Sequence, residues 1–529
     1  MTFTGSLLPY QPEAVSRMCE RARMLVAYDL GLGKTVITIA AIEQLMDKRK
    51  INEPGLIICL SSLKYQWANQ IEKFTDGSSR ALVIDGTPKK RAEQYALACD
   101  WRNSRVDYII LNYEQVVNDW EYVQDLPRGF VVLDEATAIK SFKSKRSKAV
   151  KRLNNAPFRF ALTGTPIENG KPEELYSIMQ FVDAQLLGRF DVFENTFIVR
   201  NHFGAVERYR NLPLFHEKIK EATTRKSQKD PDVAPFLPDS IHKDPITVAF
   251  DRKSAKLYHR IQEDLLFDLD EAQNLFGSAF NINAHYGYES SYGGPQDELR
   301  GKIMAKLGAL RMLCSHPDLL RTSSNKYYEM NGHGSAYAAE LVKEGHLEGI
   351  TGSIKFDTVV SYVKDFLDEN EENKVVIFAT FVDMLDKLSK ELGHNRCKIY
   401  SGKLDAKTKE ENKIAFNTNP DIRVLISSDA GGYGVDLPAA NLLINYDLPW
   451  SSGSAIQRNG RIMRASSKWP SIVIQDFLAD GSIEIRQHEA LQQKSSIADA
   501  IIDGEGIDEQ GGVPLTIGSL KSFLSLSSV

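Results

Sequence analysis

A glycine-rich turn between a predicted strand and a predicted helix constrains this chain more than any other feature. The sequence GLGKT at 31–35 follows a short apolar run, and a helix-forming stretch covers 36–46. The two glycines allow backbone N–H groups to approach an anion without a Cβ in the way. Lys34 can reach the β and γ phosphates of a nucleotide, and the Thr35 hydroxyl can hold Mg²⁺. The segment therefore predicts a phosphate-binding loop of the short GxGKT form, because Tyr28 stands where the longer form has its first glycine.

Length and composition limit the class of protein. A chain of 529 residues is too long for one ordinary core, which predicts two or more domains. No apolar run reaches the ~20 residues of a membrane span, and the N-terminus lacks the pattern of a signal peptide. The five cysteines lie far apart without a CxxC pair, which argues against a zinc site and against a disulfide framework. These features predict a globular protein of a reducing compartment such as the cytoplasm.

Predicted strands alternate with predicted helices through the first third of the chain. Apolar runs typical of buried strands occur at 55–60, 81–84, 107–111, 130–133 and 159–162. This alternation predicts a parallel sheet with helices on both faces.

Two carboxylates leave the end of one of these strands. Asp134 and Glu135 directly follow the strand at 130–133, and an open α/β sheet binds its ligands beyond the carboxyl ends of its strands. An isolated Asp-Glu pair is usually a surface feature, but the strand and the upstream phosphate-binding loop favour a catalytic pair. We expect Asp134 to hold Mg²⁺ and Glu135 to orient and deprotonate the attacking water.

A basic segment follows shortly after the carboxylates. The run 140–152 (KSFKSKRSKAVKR) holds seven basic residues and no acidic one, although the net charge of the chain is −5. Such a run is usually only a solvated face. Beside the predicted ATP site it can instead neutralise the phosphates of a bound duplex. Ser62, in the turn after the second strand, can contact a nucleic-acid phosphate or simply cap the next helix.

The α/β alternation fades in the middle of the chain and then returns. Helical segments are predicted between 183 and 351, with an extended connector at 229–245. New strands are predicted at 374–379, 397–400, 422–427 and 442–446. The chain therefore divides into two α/β halves with helical insertions between them.

The second half has no Gly-Lys-Thr of its own but has an arginine-rich segment. Arg458, Arg461 and Arg464 recur at a spacing of three, which on a predicted helix at 454–464 places them along one face. Guanidinium groups so placed can reach into another domain and neutralise charge on a γ phosphate. The alternative is a surface helix whose arginines extend into solvent.

Together these motifs resemble the Swi/Snf-type ATPases of helicase superfamily two, in the order of that family and over about residues 8–480. The element Leu310-Arg311 with Cys314-Ser-His316-Pro317 is similar to one that few other helicase groups carry. The other matching segments are 8–11, 29–35 (DLGLGKT), 62–67, 134–137, 162–166, 225–238, 427–437 and 457–464. Two positions differ from the family pattern: Thr137 stands where many members have His, and Asp436 stands where Asn is common.

The resemblance implies two RecA-like P-loop lobes in tandem, an α/β fold with ATP between the lobes and duplex DNA across both. The implied division is an N-terminal ATP-binding lobe at 1–240, a helical linker at 241–350, a C-terminal lobe at 351–490 and a tail at 491–529. The implied catalytic residues are Lys34, Glu135, Arg461 and Arg464. The implied cofactor-binding residues are Gln11, Asp29, Gly31, Gly33, Lys34, Thr35, Asp134, Gly434, Asp436 and Gln457, with Thr35 and Asp134 for the metal. The residues expected to contact DNA are Ser62, Lys140, Lys143, Lys145 and Lys148.

The sequence thus predicts a monomeric DNA translocase that depends on ATP and Mg²⁺, moves along a duplex and acts on DNA or protein–DNA complexes. The expected location is a bacterial or viral-host cytoplasm, or the nucleus of a eukaryote. One alternative is a helicase of the same superfamily that separates or anneals strands, on DNA or RNA. Another is a scaffold that binds DNA and uses nucleotide only as a clamp. Keeping Glu135 and both arginines argues against the scaffold, because a clamp does not require the hydrolytic set.

Overall fold

The computed structural model describes residues 2–200, 206–277, 295–329, 334–429, 435–449, 451–503 and 521. Its architecture is two separate parallel sheets, each covered by helices, with a group of helices between them in the chain. The prediction of an α/β fold with two lobes and helical insertions is confirmed.

The first sheet has seven strands, all parallel. They are β1 (Arg23–Tyr28), β2 (Gly55–Cys59), β3 (Ala81–Val83), β4 (Tyr108–Asn112), β5 (Phe130–Asp134), β6 (Phe158–Leu162) and β9 (Thr223–Lys226), in the spatial order β3-β4-β2-β5-β6-β1-β9. A hairpin of β7 (Ile198–Arg200) and β8 (Val206–Tyr209) lies outside this sheet. The strand that leads into the phosphate-binding loop and the strand that ends in the two carboxylates are therefore separated only by β6.

Eleven helices accompany the first sheet in the described residues. They are α1 (Pro12–Arg21), α2 (Lys34–Asp47), α3 (Lys64–Thr75), α4 (Pro88–Cys99), α5 (Trp101–Ser104), α6 (Tyr113–Asn118), α7 (Trp120–Val123), α8 (Lys145–Lys151), α9 (Pro172–Asp183), α10 (Phe190–Phe197) and α11 (Leu212–Ile219). The central strands are buried on both faces, so each face of the sheet has its own apolar core. This explains why the strands appear in the sequence as continuous apolar runs rather than as alternating ones.

The second sheet is also parallel. It consists of β10 (Asp239–His242), β11 (Ile246–Val248), β12 (Val375–Phe378), β13 (Cys397–Tyr400), β14 (Val424–Ser427), β15 (Leu442–Asn445) and β16 (Ser471–Ala479). The order is β10-β16-β15-β12-β14-β13, and β11 also pairs with β16. Its helices are α16 (Ile354–Glu369), α17 (Val382–Leu392), α18 (Ala406–Thr418), α19 (Ser452–Asn459) and α20 (Ile483–Ile502).

Four helices form a third apolar cluster beside the second sheet. They are α12 (Arg252–Phe276), α13 (Pro295–Ser315), α14 (Asp318–Tyr328) and α15 (Ala336–Lys343). Among the helices of the described ranges, none is both long and apolar enough to cross a membrane.

The middle of the chain contains short strands that the sequence analysis did not predict. β9 lies within the stretch 183–351 where helical segments were predicted, and β10 lies inside the segment 229–245 expected to be an extended connector. These strands are only three or four residues long, and β10 is exposed along its length. β9 forms because it pairs with β1, while β10 and β11 form because each pairs with β16. Such short segments carry no local sequence signal of this pairing.

His316 closes the junction between α13 and α14. Its ring is buried, and its Nδ1 accepts a hydrogen bond from the backbone N–H of Asp318 at 3.1 Å. The ring also meets Phe356 edge to face at 5.4 Å. Burial, with the charge of Lys387, lowers the pKa of His316 to about 4. The folded protein therefore holds a neutral imidazole at this junction.

We expect this histidine to make stability depend on pH. Because the folded pKa lies below the ordinary value of about 6.5, the unfolded chain binds the extra proton first. The free energy of unfolding should be fully retained above pH 6.5 and fall by about 1–3 kcal/mol as the pH decreases toward 4. Denaturant unfolding of the native protein and of His316→Gln over this range would measure it. Parallel pH profiles for the two proteins would contradict the assignment.

Candidate nucleotide site

The phosphate-binding loop connects β1 to α2, as predicted. Gly31 and Gly33 have φ angles of 82° and 79°, in the region that favours glycine. A Cβ on Gly31 would lie 2.7 Å from the carbonyl oxygen of Met463, and a Cβ on Gly33 would overlap the amide of Gln11. Both glycines are therefore required by backbone conformation and by close neighbours.

Lys34 begins α2 at the end of this loop. Its Nζ donates to the carbonyl oxygens of Tyr28 at 2.9 Å and Asp29 at 3.2 Å. Burial lowers the pKa of Lys34, while the nearby charges of Glu135 and Asp134 oppose that shift. Thr35 follows in the first turn of α2. The N-terminus of a helix is a favourable place for an anion to bind.

Gln11 is buried against the same loop. Its Oε1 accepts from the backbone N–H of Leu8 at 2.8 Å, and its Nε2 donates to the carbonyl oxygen of Leu32 at 3.0 Å. Both ends of the amide thus support the backbone around the loop. The first helix, α1, begins at Pro12, directly after Gln11.

Asp134 is held in place at the end of β5. Its Oδ2 accepts a hydrogen bond from the indole Nε1 of Trp67 at 2.8 Å, and its Oδ1 accepts from the backbone N–H of Glu135 at 3.1 Å. The hydroxyl of Tyr113 donates to the Asp134 carbonyl oxygen at 2.8 Å. No local sequence pattern indicates that the Trp67 N–H points at this carboxylate.

Glu135 is strained and has an unsatisfied oxygen. Its φ of 51° and ψ of 58° lie in the left-handed region, which is uncommon for a residue other than glycine. Its Oε2 is buried without a hydrogen-bond partner. Burial raises the pKa of both carboxyls, and the charge of Asp134 raises the pKa of Glu135 further, against Lys34, Arg461 and Arg464. Such strain and unsatisfied polarity are typical of a site that awaits a ligand.

The arginine segment reaches this site, but not as the predicted continuous helix. α19 ends at Asn459, so Arg461 and Arg464 lie in the turn after it rather than along one helix face. Gly460, directly after the helix, packs closely against Leu30 of the phosphate-binding loop, where a Cβ would come within 2.8 Å of the leucine. The prediction of three arginines on one helix is therefore wrong.

The two later arginines are both buried between the lobes. Arg464 lies against Gly31, its Nη2 pairs with Asp436 Oδ1 at 2.5 Å, and its Nε has no hydrogen-bond partner. Arg461 acts electrostatically on Glu135. Gln457, on α19, donates to the Thr165 hydroxyl at 3.4 Å across the lobe boundary. The second lobe therefore contributes Gln457, Arg461 and Arg464 to the site formed by the loop and the carboxylates of the first lobe.

Arg458 has a different place. Its guanidinium pairs with Asp429 at 2.5 Å, contacts the Asp447 carbonyl oxygen and lies 5.4 Å from the Phe378 ring centre. All of these partners belong to the second lobe. Its contacts are those of a residue that holds α19 to its own sheet.

Asp29 and Asp436 are both engaged by protein groups. Asp29 pairs with Arg225 and accepts from the backbone N–H of Gln228 at 3.0 Å. Asp436 is half exposed and pairs with Arg464. Gly434, the remaining residue expected at the nucleotide, lies outside the described residues, as do the other glycines of its loop.

Two of the residues expected to contact DNA, Lys140 and Lys145, line a cavity that reaches the site. This cavity of about 620 Å³ is also lined by Glu135 and Gln457, among others. Lys140 pairs with Glu168, whereas Lys143, Lys145 and Lys148 are exposed. Ser62 is exposed in a single 3₁₀ turn.

A triphosphate and a divalent cation fit these groups. The loop offers glycine backbone and a lysine, and Asp134 offers a buried carboxylate near the Thr35 end of α2. Within the described ranges, no group of three or more His, Cys, Asp or Glu side chains could hold a metal by itself. Mg²⁺ is usually held through one or two side chains together with water and phosphates, and Asp134 and Thr35 are side chains that could hold it in this way.

Family comparisons agree with this geometry. The family model described as "SNF2-related domain" matches residues 10–319, more than half of the chain, and the model "Helicase conserved C-terminal domain" matches residues 355–466. The first match ends in the first turn of α14, and the second begins in the first turn of α16.

The individual proteins and solved structures to which the chain is similar share about a quarter of its residues or fewer. The chain is 26% identical over 552 residues to a DNA repair and recombination protein RAD54-like of Gallus gallus, covering 98% of this chain and 70% of the relative. It is 24% identical over 503 residues to an uncharacterized ATP-dependent helicase of Mycoplasma genitalium, covering 93% of this chain but only 42% of the relative. The fold is similar to the Hef helicase domain of Pyrococcus furiosus, with a TM-score of 0.51 at 16% identity, covering 91% of this chain and 98% of that one.

Proposed function

Because the chain belongs to the SNF2-related family of helicase-like ATPases, we propose that it uses ATP hydrolysis to move along double-stranded DNA. The observation that carries the proposal is the meeting of the two lobes at the phosphate-binding loop. There Arg464 of the second lobe packs on Gly31 of the first, and Gln457 bonds Thr165. Opening and closing at this boundary can couple hydrolysis to motion.

We assign roles within the site from the contacts described above. Lys34 and the loop backbone bind the β and γ phosphates, and Thr35 and Asp134 hold Mg²⁺, which neutralises phosphate charge when bound. Glu135 positions the attacking water and takes its proton. Arg461 and Arg464 stabilise the negative charge that develops on the transferred phosphoryl group. We also propose the division near residues 240, 350 and 490, with a monomer as the working unit.

DNA is the proposed substrate track for two reasons. Lys145 lines the cavity that reaches Glu135, and Lys143 and Lys148, close to it in the chain, are exposed as well. A relative that covers nearly all of this chain is named as a DNA repair and recombination protein. Duplex bound across both lobes would favour the closed arrangement and so stimulate hydrolysis.

ATP turnover measured with a panel of nucleic acids would test the proposal. Duplex DNA should stimulate hydrolysis strongly, and single-stranded DNA, forked DNA and RNA should stimulate it less. Stimulation mainly by single strands or RNA would instead indicate a strand-separating helicase. If no nucleic acid stimulated hydrolysis, both enzymatic functions would be contradicted, and the remaining alternative would be a scaffold that uses nucleotide only as a clamp.

We expect neutralising the exposed lysines to weaken duplex binding. Replacing Lys143, Lys145 and Lys148 with Gln should reduce the slope of log K against log salt by about 2–3, since each lost phosphate contact releases about one counterion fewer. Fluorescence anisotropy from low to moderate salt would measure the slope. A matched control is the same change at Lys48, Lys50 and Lys73, which are exposed and near the far ends of α2 and α3. An equal slope for both triple variants would contradict the assigned surface.

We expect Trp67→Phe to weaken metal use while leaving the ring in place. The variant removes the N–H that holds Asp134 Oδ2. A hydrogen bond to a charged group contributes about 1.5–3 kcal/mol, so the Mg²⁺ concentration for half-maximal turnover should rise about tenfold. Titrating Mg²⁺ at saturating ATP would measure it, with Trp101→Phe as a control because Trp101 lies on α5, away from the carboxylates. An unchanged Mg²⁺ requirement would show that Trp67 only fills the core.

A further inference from the structure

The last described helix, α20, joins the two lobes. Its first turn is fixed to the second lobe, where Glu484 forms a buried ion pair with Lys355 at 2.8 Å. Gln487 donates to the carbonyl oxygens of Leu448 at 2.9 Å and Pro449 at 2.8 Å. These contacts anchor the beginning of the helix beside β15 and β16.

The end of the same helix lies on the first lobe. Ile501 and Ile502 are buried in the apolar core that covers one face of the first sheet. Nδ1 of His216, on α11, lies 2.9 Å from the carbonyl oxygen of Ile501. α20 therefore crosses from one lobe to the other, and both of its ends are buried.

Asp503 follows directly after the helix and faces an arginine of the first sheet. Its two carboxylate oxygens accept from Arg225, Oδ1 from Nε at 2.7 Å and Oδ2 from Nη2 at 3.3 Å. Such a two-point contact fixes the plane of the guanidinium as well as its position. Both side chains are about a quarter exposed, 23% each, so water screens the pair only in part.

Arg225 links Asp503 to the backbone that leads into the phosphate-binding loop. It lies on β9, opposite Ala27 of β1, and its Nη1 donates to the Ala27 carbonyl oxygen at 3.0 Å and to Asp29. Gln228, three residues later, donates its backbone N–H to Asp29 at 3.0 Å and its side-chain amide to the Leu30 carbonyl oxygen at 2.9 Å. The backbone that enters the loop is thus held by a network with Asp503 at its outer end.

We propose that Asp503 is a positioning residue for ATP binding, acting through Arg225 and Asp29 on the phosphate-binding loop. The carbonyl oxygens of Tyr28 and Asp29 are those that Lys34 contacts, so a shift at Asp29 moves the lysine that binds phosphate. Because α20 begins on the second lobe, the same network lets the placement of that lobe affect nucleotide affinity. The inference rests on the proposed nucleotide site and does not depend on the nature of the track.

The test is steady-state ATP turnover of the full chain carrying Asp503→Ala. The KM for ATP should rise about tenfold, the loss expected for a charge-assisted contact, while kcat at saturating ATP stays within about twofold. Asp503→Asn, which keeps one acceptor, should give a smaller rise. Glu489→Ala is the matched control, since Glu489 pairs only with Arg486 on the exposed side of α20 in the described residues, and should leave KM unchanged.

A purely structural role predicts a different pattern. Loss of folded protein would lower the apparent kcat and the melting temperature but leave KM unchanged, and that result would overturn the inference. So would a KM within twofold of native for Asp503→Ala. If that variant did not fold, Arg225→Lys would serve, because it keeps the charge but loses the two-point contact and should raise KM similarly. Lys34→Ala separates the two proposals, since turnover that survives it would contradict the nucleotide site itself.

Discussion

Glu135→Gln is expected to reduce ATP turnover by about a thousandfold, the size of effect that a positioned general base contributes. The glutamine keeps the shape of the side chain and can still accept a hydrogen bond from water, but it cannot take the proton. The unpartnered Oε2 and the left-handed backbone at Glu135 indicate that this side chain is held ready for a ligand. Nucleotide affinity should therefore be retained while kcat is lost, as measured by phosphate release and by binding of a fluorescent ATP analogue.

Two comparisons make this result specific. Lys34→Ala should also abolish turnover, but by weakening nucleotide binding, because it removes the cation that binds the phosphates. Glu114→Gln is the control, since Glu114 lines the same cavity but is an exposed partner of Arg146. It should keep native turnover. Hydrolysis at the native rate in Glu135→Gln would contradict the role of Glu135, whatever the control shows.

Arg464→Ala is expected to have an effect of similar size, a loss of about 10³-fold in kcat, comparable with the removal of an arginine finger. Arg464 lies on Gly31 from the other lobe, and its Nε lacks a partner, so part of the guanidinium is available to a phosphate. Arg461→Ala should act in the same direction. ATP binding should change much less than kcat, because the lysine and the loop remain intact.

The control for the arginines is Arg486→Ala. Arg486 is a partly exposed residue of α20 whose ion pair is with Glu489 in the described residues, so its loss removes a cation outside the contacts described at the lobe boundary. It should leave both kcat and KM unchanged. If Arg464→Ala and Arg461→Ala hydrolysed ATP as fast as this control, the lobes would not share an active site.

The parts of the fold that could be predicted are those with strong local signals. Buried parallel strands appear as apolar runs, and carboxyl ends of parallel strands meet at one edge, so the loop at Lys34 and the pair at Asp134 could be brought together from sequence. Six strands of the first sheet and four of the second were predicted to within a few residues, whereas β9, β10, β11 and β16 were not predicted. The helical segment between the halves was also visible from its composition.

The parts that could not be predicted depend on contacts between distant segments. β9 and β10 are short and form only because edge strands accept them. α19 ends at Asn459 rather than at residue 464, and the following Gly460 packs against Leu30 of the other lobe, a contact that no local pattern indicates. The direction of the Trp67 indole and the Asp503 contact likewise arise from packing. The helix predicted from the spacing of the arginines therefore ended too late, at residue 464 instead of Asn459.

The most direct test of movement along DNA is displacement of a third strand from a triplex. A translocase that tracks the duplex should strip the third strand in an ATP-dependent reaction and leave the two duplex strands paired. Glu135→Gln should show only the background rate. Third-strand release no faster than in that variant, or release accompanied by separation of the duplex strands, would contradict translocation along double-stranded DNA.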